Sequence, residues 1–247
     1  MIEIFEGRLG GGKTYSAVWR ILAHLRLGGV VCTNVELIWP SCLEFGRKRF
    51  GLEFQDDQVI MLSGDQICEF YKYTPSGSEE LAVLVVLDEL HLYFNARDFA
   101  QTDRMYRETL TFLSQSRKVD TDMILISQSA LNMDKQFFRL VQYVWRFRDL
   151  AKWKVPGLGI GFPWKGLMAC QFDYDGRTLL QRDFIRKDPE IFRCYRTKAL
   201  LKKFPRLEGV STKRSLKRVA VPGLGFRVFF WIMVVVDVVI WSLVFFE

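Results

Sequence analysis

Histidine is nearly missing from this chain: among 247 residues only His24 and His91 carry an imidazole. That scarcity excludes a convincing Ser-His-Asp or Cys-His catalytic constellation, and the two are not spaced to share a metal. His24 reads as an ordinary helix residue. His91 lies two positions after an acidic pair, which leaves room for a modest role beside a ligand. The five cysteines (Cys32, Cys42, Cys68, Cys170, Cys194) contain no C-x-x-C pairing. No signal peptide precedes the first β-prone run, so reduced thiols in a cytoplasmic domain are expected. The net charge of +7 suggests a nucleic-acid surface, but the first 200 residues have no such excess, with 27 basic and 25 acidic side chains. Bulk charge therefore does not argue for nucleic acid, although a few basic residues per subunit can line a pore.

What the amino end does have is Gly7-Arg8-Leu9-Gly10-Gly11-Gly12-Lys13-Thr14, a complete G-x-x-x-x-G-K-T phosphate loop. Ile2–Glu6 before it is β-prone, and Tyr15–Leu27 after it reads as a helix closed by Gly28-Gly29, the context the motif requires. Glycines let backbone N–H groups turn inward around phosphates, and the helix start adds its positive dipole end. Lys13 is then expected on the β- and γ-phosphates of ATP, and the Thr14 hydroxyl on Mg²⁺. The competing explanation is a glycine-rich turn that happens to precede a lysine.

A continuous apolar run, Leu81–Leu87, predicts a strand buried on both faces and ends in Asp88-Glu89. In nucleotide hydrolases of this kind the first acid holds Mg²⁺ and the second polarises the attacking water. Two solvated carboxylates at a strand end are the plain alternative, which the upstream phosphate loop disfavours. Glu89 also separates a motor from a passive switch, since binding alone needs no carboxylate there. Further elements alternate: strand Val30–Asn34, helix Asp103–Lys118, strand Met123–Ile126 ending at Ser127-Gln128, and strand Val141–Phe147. The expectation is an α/β domain, a parallel sheet flanked by helices, with ligand at the strands' carboxyl ends. Gln128 is then expected beside the γ-phosphate as a sensor of hydrolysis state. Residues 43–80 read as an insertion between strands. Residues 151–200 are the least legible: 155–163 looks like an extended loop and 172–178 like a hairpin turn.

The carboxyl end divides in two. Residues 201–227 carry eight basic side chains against Glu208 alone, a pattern expected to meet anionic head groups and to orient a membrane helix. Residues 228–246 hold one charge, Asp237, among nineteen residues, and at about 1.5 Å per residue they suffice to cross a bilayer. Trp231 and Trp241 suit the two interfaces. Asp237 reads either as a tolerated protonated acid or as a contact between neighbouring subunits. The expected organisation is a domain at 1–200, a basic linker at 201–227 and a transmembrane helix at 228–246. The domain would lie in the cytoplasm and only the extreme carboxyl end outside.

An ordered set of motifs also carries a resemblance. Glu6–Thr14, then Thr33–Leu37, then Val86–Glu89 running into Tyr93-Phe94-Asn95-Ala96-Arg97, then Ser116–Gln128, Met133–Gln136 and Cys194–Thr197 resemble the zonular occludens toxin (Zot) family. That family includes the gene I assembly proteins of filamentous bacteriophages. The similarity spans about residues 1–200 and implies a P-loop ATPase of the RecA/FtsK-HerA-like kind, anchored in the host inner membrane. Such a protein works as a ring or multimer, a homo-oligomer that drives extrusion of phage while single-stranded DNA and coat protein pass the envelope. By position, the resemblance gives Lys13 and Thr14 to phosphate and metal, Asp88 to Mg²⁺, Glu89 to base catalysis and Gln128 to sensing. Arg117 occupies the place of an arginine acting in trans on a neighbour's nucleotide, with Arg97 as runner-up; a solvated helix-end arginine is the alternative for Arg117. Larger members continue past the membrane helix and this sequence does not, so toxin activity is not expected. Other readings are a genome-packaging ATPase of a membrane-containing virus, a host DNA translocase, and a membrane scaffold that binds ATP with negligible turnover.

Overall fold

The computed structural model describes residues 1–94, 103–128, 135–150 and 166–196. The chain divides into two units, Met1–Lys202 and Lys203–Glu247, and every described residue lies in the first. The expected loop at 155–163, the basic linker, the membrane helix with Asp237, and Arg97 all fall outside the described residues. Among the described residues no helix is long and apolar enough to cross a membrane.

Eight strands form one sheet in the order β3-β2-β4-β5-β1-β6-β7-β8. They are β1 (Ile2–Glu6), β2 (Val31–Thr33), β3 (Val59–Met61), β4 (Val83–Leu87), β5 (Thr121–Ser127), β6 (Tyr143–Asp149), β7 (Gly166–Asp173) and β8 (Leu179–Arg186). Helices are α1 (Lys13–Arg26), α2 (Trp39–Phe45), α3 (Phe70–Tyr73), α4 (Asp103–Gln115), α5 (Lys135–Arg139) and α6 (Pro189–Arg193). The first six strands of the sheet run parallel. β7 and β8 are antiparallel additions. The purely parallel expectation is thereby corrected to a mixed, mostly parallel sheet. The physical reason is local: the turn Asp173–Thr178 closes by the Asp173 N–H donating to Thr178 O and the Gly176 N–H to Asp173 O, so β7 and β8 return as a hairpin rather than through a crossover helix.

Side-chain alternation explains the central run. On β4, Leu84 and Val86 point into one core with Phe5, Ile124 and Ile126, while Val85 and Leu87 point into a second with Ile4, Met123 and Leu125. Both faces are covered, so the strand has no polar side to show. Helix α1 covers the first core with Ala17, Val18, Ile21, Leu22 and Leu25, all 0–2% exposed, at the three- and four-residue spacing of one helical face. It ends as expected: Gly28 at φ 83 closes it, and the Gly28 and Gly29 N–H groups donate to Leu25 O and His24 O. One acid is buried by design on this side. Glu3 accepts from Trp145 Nε1 and from Arg20, both at 3.0 Å.

The 43–80 region is more ordered than an insertion would be. It holds part of α2, a π-helical turn at Gly46–Phe50, edge strand β3 and α3. Phe45, Phe50 and Phe54 pack with Trp19 and Trp39 through five ring contacts at 5.5–6.4 Å, separations within the attractive aromatic range.

Candidate nucleotide site

The site forms where β1, β4 and β5 end together. Register pairs Glu6 with Ser127 and Leu87 with Leu125, so the three parallel strands deliver their carboxyl ends to one edge. From β1 the chain turns directly into the phosphate loop, whose shape demands glycine at specific points. Gly7 has φ 152 and lies against the β6 backbone, where an added Cβ would stand 2.9 Å from Phe147 O. Gly12 has φ 101, and a Cβ there would stand 2.4 Å from Leu167 Cδ1. Within the loop the Gly11 N–H donates to Arg8 O, and Lys13 Nζ donates to Gly7 O at 2.7 Å and Arg8 O at 3.3 Å. Burial pulls the Lys13 ammonium below its usual range, while the Glu89 and Asp88 carboxylates push it back up.

Thr14 Oγ1 donates to Asp88 Oδ2 at 2.8 Å, joining the first turn of α1 to the end of β4. The other Asp88 oxygen accepts the Glu89 N–H at 2.7 Å. Burial raises the Asp88 carboxyl above the usual carboxylate range; the Thr14 hydroxyl, the Glu89 N–H and Lys13 oppose that shift, and the Glu89 carboxylate adds to it. Two hard oxygens, Thr14 Oγ1 and Asp88 Oδ2, thus converge beside the loop. That donor set fits Mg²⁺, which takes one or two protein oxygens and completes its shell with phosphates and waters. Among the described residues no group of three or more His, Cys, Asp or Glu side chains is placed to hold a metal ion by itself.

Glu89 occupies an unusual backbone state. Its φ of 51 and ψ of 41 are left-handed, and such a conformation in a non-glycine residue costs energy and clusters at functional sites. Its Oε2 is buried and, among the described residues, has no hydrogen-bond partner; it lies 3.4 Å from His91 Nδ1, which also lacks one there. His91 is therefore beside the acidic pair, as its sequence position allowed.

Asn34 is a component that sequence reasoning passed over. Its Nδ2 donates to Asp88 O at 3.0 Å and its Oδ1 accepts the Asp88 N–H at 2.6 Å. Thr33 beneath it donates from Oγ1 to Val86 O and accepts the Val35 N–H. The end of β2 therefore clamps the end of β4 through side chains, fixing the peptide that carries Asp88 and Glu89. The signal was an Asn directly after a short β-run, a residue type that hydrogen-bonds backbone readily.

A cleft of about 470 Å³ runs over these groups, lined by Leu9–Tyr15, Asn34–Glu36, Ile67, Asp88, Glu89, Leu92 and Tyr93. Its far wall comes from Asp149 at the end of β6 and, in the poorly legible region, from Leu167, Lys187, Phe192, Tyr195 and Arg196. Tyr15 holds that wall in place. Its hydroxyl accepts the Asp188 N–H at 2.7 Å and donates to Arg186 O at 3.3 Å, and its ring lies 4.7 Å from Phe192. Ion pairs Lys187–Asp149 and Arg196–Glu36, each at 2.7 Å, complete the wall.

The two remaining candidates lie elsewhere. Gln128 directly follows β5 at the same edge of the sheet but is exposed and is not among the cleft-lining residues. Arg117 is exposed in the 3-10 turn Ser116–Val119 that precedes β5. Seven strand residues separate that turn from the site edge, roughly 20 Å at the strand rise, so Arg117 does not reach its own chain's cleft. The five cysteines are free, as expected.

The chain is similar to several known proteins. Residues 1–199 match the family described as zonular occludens toxin (Zot). The gene 1 protein of Enterobacteria phage I2-2 is 30% identical over 163 residues, 64% of this chain and 43% of that protein. The gene 1 protein of Salmonella phage IKe matches to the same extent. The chain thus matches less than half the length of these relatives. Among solved structures, the N-terminal domain of zonular occludens toxin from Neisseria meningitidis aligns with TM-score 0.48 at 16% identity, over 79% of this chain and 98% of that one. The genome packaging NTPase B204 of Sulfolobus turreted icosahedral virus 2 aligns with TM-score 0.47 at 11% identity, over 76% and 97%. The sequence match runs across every element that builds the cleft, from the phosphate loop through Asp88-Glu89 to Arg196, and the chain belongs to the Zot family.

Proposed function

We propose that this chain is an ATPase that powers assembly and extrusion of filamentous phage from the host inner membrane. In this reading a single-pass helix at 228–246 anchors it, the domain at 1–200 lies in the cytoplasm, and copies act together as a ring or multimer. ATP hydrolysis would drive single-stranded DNA and coat protein through the membrane. The observation that carries the catalytic part is the Thr14–Asp88 hydrogen bond at 2.8 Å, which ties a complete phosphate loop to an acidic strand end with Glu89 next to it. Membership of the Zot family and the phage gene 1 relatives support the biological setting.

Each residue has a physical task. The loop N–H groups and Lys13 bind the phosphates and offset charge that grows during transfer. Thr14 and Asp88 would hold Mg²⁺, whose charge, when bound, neutralises the β- and γ-phosphate oxygens. Glu89, whose Oε2 has no hydrogen-bond partner among the described residues, orients and deprotonates the attacking water. Gln128 is assigned to sensing hydrolysis state at the end of β5. Arg117 is assigned to the neighbour's nucleotide, consistent with its distance from its own cleft.

The test is ATP turnover by the full chain in lipid nanodiscs, supplied with coat protein and single-stranded DNA. Wild type should hydrolyse, while Lys13→Ala and Glu89→Gln should lose at least a hundredfold. Three equally inert proteins would return the chain to a nucleotide-binding scaffold.

A further inference from the structure

The antiparallel addition to the sheet separates its charges by face. Alternation along β6 places Val144, Arg146 and Arg148 on one face and Trp145, Phe147 and Asp149 on the other. Cross-strand register extends the division: Arg146 stands opposite Cys170 and then Arg182, Arg148 opposite Met168 and then Phe184, and Gly166 opposite Arg186. Every arginine of these three strands therefore falls on one face. All three of their acids, Asp149, Asp173 and Asp183, fall on the other. Arg146, Arg148, Arg182 and Arg186 are exposed, and Phe184 is 64% exposed. Phe172 shares the face, with the Arg146 guanidinium 4.6 Å from its ring centroid. The Glu6 carboxylate borders the patch, paired with Arg146 at 3.2 Å.

We propose that this face of β6–β8 is a binding track for single-stranded nucleic acid. The charge is complementary to a phosphate backbone, and on these three strands it is supplied by arginine. Guanidinium groups fork onto phosphate oxygens and also stack on rings. Exposed Phe184 gives a base an aromatic platform, while half-buried Phe172 holds the Arg146 guanidinium against its ring; ring stacking favours a single strand, because a duplex keeps its base faces stacked inside. An anionic membrane surface would need neither the alternation nor the rings. The track is also wired to the cleft. Where β8 ends, Arg186 O accepts from Tyr15 in helix α1, and the next residue, Lys187, lines the nucleotide cleft. That the bound strand is the exported genome rests on the function proposed above; the track itself rests on the face.

The experiment measures binding of a fluorescein-labelled oligothymidine to the full chain in neutral nanodiscs, by anisotropy across a salt series, with ATP turnover read on the same samples. Removing two phosphate contacts by Arg148→Ala with Arg182→Ala should flatten the log–log salt slope by about 1.4, at roughly 0.7 per contact on a single strand. Arg148→Lys with Arg182→Lys, which keeps the charges, should retain the slope. Phe184→Ala should weaken binding about tenfold or more with the slope unchanged. Slopes and affinities equal to wild type in all variants would overturn the track, as would loss of binding to anionic vesicles with oligonucleotide binding intact. Dissociation of the multimer by Phe184→Ala would also overturn it, by assigning the face to a second copy. The two proposals fail separately: face-dependent binding without turnover removes the motor, and turnover without face-dependent binding removes the track.

Discussion

Asn34→Ala is the substitution on which the site's architecture depends most sharply. Asn34 makes two hydrogen bonds to the Asp88 peptide, at 3.0 and 2.6 Å. Alanine takes these partners from the backbone N–H and C=O of Asp88, which belong to the two successive peptides flanking its Cα, in a half-buried position. Each such loss costs about 1–3 kcal/mol when fully buried; with partial water access the pair should cost about 2 kcal/mol. For a domain of this size that lowers Tm by roughly 4–8 °C. A second effect is specific to function. Glu89 is held in a left-handed conformation, which persists only while its surroundings enforce it. Releasing the Asp88 peptide lets Glu89 relax, so ATP turnover should fall at least tenfold while nucleotide affinity, set by the phosphate loop, changes little. Asn34→Asp keeps the acceptor for the Asp88 N–H and should recover part of the stability, but it adds a carboxylate beside two others and should not recover turnover. Thermal melts, nucleotide titration and turnover on the same preparations give all three readings. A variant that melts with wild type and turns over normally would refute the clamp.

Three further outcomes follow from the same geometry. Gly12→Ala should abolish nucleotide binding, and adding Leu167→Ala should not restore it, because φ 101 strains any side chain even after the 2.4 Å clash is removed; restored binding would show that space alone mattered. Asp88→Asn should stabilise the nucleotide-free protein while abolishing Mg²⁺-dependent turnover. Burial raises the folded Asp88 carboxyl above its unfolded value, so the ionised group subtracts stability. That penalty is absent below the unfolded carboxylate range, about 3.9, and complete above the folded value. The variant's advantage should therefore grow as pH rises through the carboxylate range and then stay level; an advantage that shrinks with pH would contradict the sign. Tyr15→Phe removes the hydroxyl that ties the Arg186–Asp188 backbone to α1 and should weaken nucleotide binding about five- to tenfold, at roughly 1 kcal/mol for the lost bonds. Isothermal titration checks it, and unchanged affinity would detach that wall from the ligand.

The parts visible in the sequence were those whose chemistry is local. The phosphate loop is one contiguous motif, and the strand before Asp88 is buried on both faces and so wholly apolar. Boundaries shifted by one or two residues, as with α1 starting at Lys13 and β5 at Thr121, because helix and strand ends are set by hydrogen bonds rather than by composition. β3 escaped notice because three residues at a sheet edge carry no period. β8 was legible only as the returning arm of the hairpin read at 172–178: its residues are largely exposed on both faces, so Leu179–Arg186 shows no burial alternation to give it bounds. The Asn34 clamp and the Tyr15 tie join residues 54 and 173 positions apart, and no spacing rule reaches that far. The charge division across β6–β8 was hidden in the same way. Near-neutral totals over residues 1–200 conceal a face that only strand register separates.

Whether this protein is a motor turns on Glu89 as the base of a hydrolytic site. Single-turnover cleavage of γ-labelled ATP by the full chain in nanodiscs, comparing wild type with Glu89→Gln, tests it most directly. Both proteins should bind ATP with similar affinity, and only wild type should release labelled phosphate at an appreciable rate. Equal release from the two would contradict it.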